Sequence, residues 1–367
     1  MRILNIVGAR PNFMKIAPIQ RQMNKNPNLE PLLIHTGQHY DEKMSKLFFE
    51  DLELPRPDRY LGVGSGTHAQ QTAKIMIEFE NIVAEEKPDL VLVVGDVNST
   101  AACSMVAAKM GVKIAHVEAG LRSFDRSMPE EINRIVTDAL SDFLFVTEKS
   151  GLENLRKEGV ADHKVFFTGN VMIDSLVYFL EKAKSSDIVN KLNLNGTPYA
   201  LVTLHRPSNV DIKENFEKLL QAFSVIEREI SIIFPIHPRS RKMLDNFGLM
   251  NRINAMENLI LLDPIGYLDF MKLMHDAKLV LTDSGGIQEE TTYLGIPCIT
   301  MRENTERPVT LDVGTNVLVG SDTDKVIEEA QKVINGRVKK GQIPKLWDGK
   351  AAERIVEILY NSLLNSK

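Results

Sequence analysis

Cysteine is scarce in this 367-residue chain: only Cys103 and Cys298, each alone in an apolar stretch. That rules out a disulfide framework and fits a reducing cytoplasm. Positive charge is not in excess either. Lys and Arg number 44 against 49 Asp and Glu, so the electrostatic footprint of a nucleic-acid binder is missing. No apolar run approaches the ~20 residues needed to cross a bilayer. Met1 leads straight into Arg-Ile-Leu-Asn-Ile-Val, which lacks the layout of a signal peptide. A cytoplasmic protein without membrane partners is expected. No His-Glu-x-x-His or similar close ligand spacing occurs, so no metal site is expected. In Gly62-Val63-Gly64-Ser65-Gly66 the serine is misplaced for a nucleophile elbow. No Walker A loop occurs, and no Gly-x-Gly-x-x-Gly follows the first strand, so no nicotinamide cofactor is expected.

What is present is a soluble globular composition, 43% hydrophobic and 25% charged. The length suits roughly two domains of about 150 residues. The stretch that organises the rest is Leu279 to Glu290, Leu-Val-Leu-Thr-Asp-Ser-Gly-Gly-Ile-Gln-Glu-Glu. It reads as a buried strand, then Asp283 and Ser284 as caps, then a helix start. Gly285 and Gly286 let a ligand approach the backbone, and the helix N-terminus suits a phosphate. Glu289 and Glu290 follow about one turn in, within reach of a ribose diol. Strand patterns at 3–7, 31–35, 89–94, 112–117 and 143–146 alternate with helical ones at Phe13 to Ile19, 67–86, 99–109 and 130–140. Ser99 is read as the cap of the third. After the polar segment 182–197 the pattern restarts, with strands at 199–203, 231–235, 259–262, 278–282 and 296–300 and a last helix at 351–364. Parallel sheets with helices on both faces are predicted, as two copies of one architecture with a cleft between.

Ligands of open parallel sheets bind outside the carboxyl ends of the strands. Arg10, His39, Asp96, Glu118, His205 with Arg206, and His237 with Arg239 all follow strands, and Asp125, Arg126, Glu130, Glu131 and Arg134 come soon after Glu118. This gathering of acids, bases and cations on one edge is the best residue-level sign of a site. Each residue also has a structural alternative. Asp96 would cap the 99–109 helix, Glu118 would pair with Arg122, and Glu130 with Arg134 would form an i,i+4 pair. His116 reads as core.

The ordered set Gly8-Ala9-Arg10-Pro11 with Lys15, Gln38-His39, Gly95-Asp96, His116 to Arg122, Pro129 to Arg134, Leu204-His205-Arg206, Thr282 to Glu290 and Thr305-Glu306-Arg307-Pro308 resembles one family. It is similar to the non-hydrolysing UDP-N-acetylglucosamine 2-epimerases over essentially the whole chain. The resemblance implies a glycosyltransferase-B type α/β fold: two Rossmann-like domains with parallel sheets facing a deep cleft. The first domain would be 1–170 plus 350–367, carrying the catalytic carboxylates, and the second 171–349, binding UDP. It implies reversible, cofactor-free C2 epimerisation of UDP-N-acetylglucosamine to UDP-N-acetylmannosamine. UDP would leave by anti elimination and re-add through a 2-acetamidoglucal, supplying a surface polysaccharide precursor. Asp96, Glu118, Glu130 and His205 would be catalytic. Arg10, Lys15, Arg134, Phe270, Ser284, Gly285, Gly286, Glu290 and Arg307 would bind substrate: Phe270 the uracil, Ser284 and Gly286 the phosphates, Glu290 the ribose, Arg307 the nucleotide. Gln38, His39 and His237 match a regulatory site at which a second UDP-N-acetylglucosamine activates some members. The loop Ser123 to Met128 lacks those members' aromatic pattern, so weak activation is expected. A homodimer is expected.

Two positions depart from the family pattern: Asn12 and Ser208 stand where many members have Glu. A sister group acting on a UDP-diacetamido-uronate is similar in Gly8 to Phe13 but tends to carry Trp at position 307, so Arg307 favours the N-acetylglucosamine substrate. The competing functions are a UDP-sugar glycosyltransferase on the same fold and a catalytically silent UDP-sugar binding protein.

Overall fold

The computed structural model describes residues 1–38 and 53–364. The chain divides into unit 1, Met1–Tyr178 with Lys345–Lys367, and unit 2, Phe179–Pro344. Each is a parallel sheet flanked by helices, the Rossmann-like arrangement. In unit 1 the strands are β1 (Arg2–Val7), β2 (Glu30–His35), β3 (Arg59–Tyr60), β4 (Leu90–Val94), β5 (Lys113–Ala119), β6 (Phe143–Val146) and β7 (Val165–Phe167), in the order β3-β2-β1-β4-β5-β6-β7. In unit 2, β8 (Tyr199–Thr203), β9 (Ser231–Pro235), β10 (Leu259–Leu262), β11 (Leu279–Thr282), β12 (Cys298–Thr300) and β13 (Asn316–Leu318) run β10-β9-β8-β11-β12-β13.

The central strands are apolar without alternation, as in Leu-Val-Leu-Val-Val of β4, where every residue is buried. Strands covered on both faces need that pattern. Their side chains still divide by the two-residue repeat. Ala200 and Val202 of β8 join one core with Phe216, Leu219 and Phe223, while Tyr199 and Leu201 join another with Leu273 and Met274. Strands β3, β7 and β13 were not legible in the sequence. They are two or three residues long and lie at sheet edges, where short strands are the rule.

The strand order reverses between β1 and β4 in one sheet and between β8 and β11 in the other. These are the switch points at which ligands bind open α/β sheets. The final helix, Ala351–Leu364, belongs to unit 1 and lies against the helix Arg10–Met23. It is anchored at its start, where buried Asp174 accepts from the Ala351 and Ala352 N–H groups at 3.1 and 2.7 Å. Just before it, fully buried Trp347 donates from Nε1 to the Thr147 carbonyl at 2.9 Å. Among the described residues, no helix is long and apolar enough to cross a membrane.

Candidate active site

The polar groups form one cluster at each switch point. In unit 1, Glu118 sits at the end of β5 with φ of +77°, where the register with β6 slips between Val117 and Ala119. This bulge re-aims the side chain. Its carboxylate pairs with Lys15 Nζ, and both side chains are buried. Lys15 lies on the helix after β1. Gly95, at φ +66°, gives it room, since a Cβ there would stand 2.9 Å from Nζ. Asn12 closes the same turn. Its Oδ1 accepts from the Gly8 and Ala9 N–H groups at 3.1 and 3.0 Å, and its Nδ2 donates to the Val94 carbonyl at 3.0 Å.

Asp96 follows β4 and binds Arg134 Nη1 at 2.5 Å. Arg134 is held in turn by Glu131, whose Oε2 accepts from its Nε and Nη2 at 3.0 and 2.7 Å. Glu131 also receives the N–H groups of Ser123 and Phe124 at 3.0 and 2.9 Å. Burial alone would raise the Glu131 carboxyl; the Ser123 N–H and Arg134 outweigh it and hold it below the ordinary value. Glu130 stands beside Glu131 in the first turn of the helix Pro129–Leu140, half-buried. Further along that helix, Asp138 bonds His116 Nδ1 at 2.6 Å, Arg122 Nη2 at 2.7 Å and the Gly120 N–H at 3.0 Å. Burial opposes the Asp138 charge, but His116 and Arg122 keep its carboxyl below the usual range. His116 Nε2 reaches the Gly95 carbonyl at 2.9 Å, so the network ties the ends of β4 and β5 together.

Several local expectations are corrected here. Arg122 pairs with Asp138 and Glu158, whereas Glu118 turns to Lys15. Ser99 is not the cap of its helix, which begins at Asn98. It donates from N and Oγ to Gln38 Oε1 at 2.9 and 2.7 Å. The roles of Glu131 and Asp138 were missed. With Arg134 they recur at i, i+3 and i+7, and so line one helical face with buried charge, which an ordinary amphipathic helix avoids. The Arg10 side chain and His39 lie outside the described residues.

In unit 2, His205 and Asp283 follow adjacent strands β8 and β11. Asp283, read as a helix cap, is instead fully buried and accepts from the His205 and Arg206 N–H groups at 3.0 and 2.9 Å. Ser284 is the N-cap residue, without a side-chain cap bond. The helix Gly285–Leu294 follows. Gly285 leaves room for Arg307, since a Cβ would stand 2.6 Å from its Nη1. Arg307 pairs with Glu289 at 2.8 Å and with Glu306 at 2.5 Å. Glu290 accepts from the Tyr267 hydroxyl at 3.1 Å. Phe270, on the helix Tyr267–Asp276, is partly buried against the core. The His237 ring lies 5.5 Å from that of His205, centroid to centroid. Among the described residues, no group of three or more His, Cys, Asp or Glu could hold a metal.

The family model described as UDP-N-acetylglucosamine 2-epimerase matches residues 21–360. The chain belongs to that family. It is 46% identical over 363 residues to a UDP-N-acetylglucosamine 2-epimerase homolog of Methanococcus maripaludis, covering 98% of this chain and 100% of the relative. It is 40% identical to the UDP-2,3-diacetamido-2,3-dideoxy-D-glucuronate 2-epimerase of Pseudomonas aeruginosa, with 98% and 99% covered. Among solved structures, the UDP-GlcNAc 2-epimerase of Methanocaldococcus jannaschii in complex with UDP-GlcNAc and UDP matches at a TM-score of 0.91 and 44% identity, covering 98% of this chain and 100% of that one. The matched span takes in the unit 2 cluster and residues 94–138 of the unit 1 cluster, while Asn12 and Lys15 precede it.

Proposed function

We propose that this chain interconverts UDP-N-acetylglucosamine and UDP-N-acetylmannosamine by eliminating and re-adding UDP. The observation that carries this reading is the unit 1 cluster. Asp96 and Glu118 each stand beside a cation, with Glu130 on the helix that supplies Arg134. A C2 proton is weakly acidic, so its removal calls for a positioned carboxylate away from bulk water. As that proton leaves, the C1–O bond to UDP breaks and a 2-acetamidoglucal remains. UDP then returns to C1 while a second acid delivers a proton to the other face of C2. The sequence is redox-neutral and needs no cofactor. Asp96, Glu118 and Glu130 share the acid and base roles, and Arg134 orients Asp96.

Unit 2 takes the nucleotide in this reading. The Ser284 side chain, the N–H groups at Gly285 and Gly286 and the dipole of their helix suit the diphosphate, with Arg10 offsetting its charge and His205 donating to it from Nε2 once that nitrogen carries a proton. Phe270 faces the uracil, Glu290 the ribose and Arg307 the nucleotide. Arg307 in Thr305-Glu306-Arg307-Pro308 favours N-acetylglucosamine over the diacetamido-uronate sugar. Activation by a second UDP-N-acetylglucosamine is weak, since Gln38 Oε1 is already engaged by Ser99. The enzyme acts as a cytoplasmic homodimer that supplies a surface polysaccharide precursor. Incubation with UDP-N-acetylglucosamine alone, in D₂O, tests the chemistry by NMR. The mannose-configured product should appear without any acceptor and carry deuterium at C2. Unlabelled C2, or turnover only with an added acceptor, would sink the proposal.

A further inference from the structure

We infer that Asp283 is a positioning residue for His205, fixing the imidazole with Nδ1 protonated and Nε2 free for the substrate. This rests on the role proposed above for His205. Asp283 has no exposed surface and meets only donors. These are the backbone N–H groups of His205 and Arg206, Asn209 Nδ2 at 3.2 Å and His205 Nδ1 at 3.1 Å. A carboxylate is acceptor-only when ionised. Burial opposes that form, but His205 and the backbone N–H groups outweigh it and hold the Asp283 carboxyl below its ordinary value. An ionised acceptor at Nδ1 means that Nδ1 carries the hydrogen. Among the described residues Nε2 makes no hydrogen bond, so it is the nitrogen left to exchange one with a ligand. The His205 side chain is 34% exposed, enough for that contact.

The carboxylate controls both the ring and the backbone that carries it. Its N–H bonds set the 205–206 turn, and the 3.1 Å contact with Nδ1 holds the imidazole against it. Asn209 also donates to the Met301 carbonyl at 2.8 Å, which ties the turn to the strand end beyond β12. The His237 ring, tilted 41° to that of His205, walls its side. A helix cap would need none of this, and the carboxylate does not serve the helix that follows it. Asn at 283 would present an NH₂ group among donors. It would drive the ring toward the opposite tautomer, the effect that costs serine proteases about 10⁴-fold in kcat.

The test is a double-mutant cycle on the full chain, with Asp283→Asn, His205→Asn and the pair, assayed with UDP-N-acetylglucosamine. Asp283→Asn should lower kcat by about 10²-fold or more while UDP affinity by calorimetry changes by less than about 3-fold. In the His205→Asn background the same change should lower kcat by less than about 3-fold. Equal losses in both backgrounds, or an undiminished kcat in Asp283→Asn, would overturn the inference. Should the variant not fold, ¹⁵N NMR of histidine-labelled wild type decides it, with His205 assigned by its loss in His205→Asn. Neutral His205 should show a protonated Nδ1 and a bare Nε2; the reverse pattern overturns the inference. An inactive wild type would count against the epimerase reading, while the NMR result would still judge the positioning.

Discussion

Replacing Glu290 with Gln should change stability with pH in one direction and loosen the nucleotide. The carboxyl is buried, bonded to the Tyr267 hydroxyl at 3.1 Å and next to Glu289. Burial, and secondarily Glu289, push it from 4.5 to about 8, against the lowering effect of the Tyr267 bond. The unfolded chain ionises near the ordinary value, while the folded chain keeps its proton until about 8. Between those values the folded state binds more protons, so the group's contribution to stability falls as pH rises through the window. A rise of roughly 3.5 units corresponds to about 5 kcal/mol, an order-of-magnitude ceiling. Gln is neutral throughout and still accepts from Tyr267 through Oε1. The difference in unfolding free energy, variant minus wild type, should therefore become more positive by several kcal/mol between about pH 5 and pH 9. On the proposed role of Glu290 at the ribose, nucleotide binding uses the same carboxyl in reverse. A ribose diol offers two O–H donors, which an ionised carboxylate accepts together. UDP binding at about pH 7 should then release close to one proton, counted by calorimetry in buffers of different ionisation enthalpy. The Gln variant should release none from this site and bind UDP about 10-fold more weakly. A flat stability difference across that range, with proton-neutral UDP binding by wild type, would refute the reasoning.

Asp96→Asn, Glu118→Gln and Glu130→Gln keep shape but remove charge, and each should lower kcat by about 10²–10⁴-fold. UDP affinity should persist by calorimetry, because the 284–290 stretch belongs to the other unit; full activity in all three would discard the mechanism. Asp138→Asn should destabilise the protein by about 3–5 kcal/mol, since it leaves buried His116 without its anion and Arg122 with Glu158 alone. The folded Asp138 carboxyl lies below its ordinary 3.8, so the wild-type advantage should be full above that value and shrink as pH falls below it; denaturant titrations at several pH values check this. Gly169→Ala places a Cβ 2.1 Å from the Leu346 carbonyl oxygen at φ +88°. It should cost more than about 1 kcal/mol and quicken proteolysis near 345–350; an unchanged digestion rate would contradict it.

How much of this was legible in the sequence follows from how far each side chain reaches. The central strands announced themselves by unbroken apolar runs, and their carboxyl ends pointed to the candidate residues. The partners of those residues did not. Ser99 stands at the start of a helical stretch and Asp283 just before one, and local chemistry makes a Ser or Asp in that place a cap. In the fold Ser99 serves Gln38, 61 positions away, and Asp283 serves His205, 78 positions away. Sheet order explains why the distant partner wins. Thr203 pairs with Thr282 across β8 and β11, so the residues leaving those strands emerge side by side, and an acid there meets a histidine before it meets its own helix. The same holds between β4 and β5, where Val94 pairs with Val117. Gly95 therefore lies opposite Glu118 and opens the space that Lys15 fills. Strand order is a long-range property, absent from any window of sequence. Once it is known, the strand-end residues sort into pairs, and the groups that orient the chemistry separate from those that would perform it.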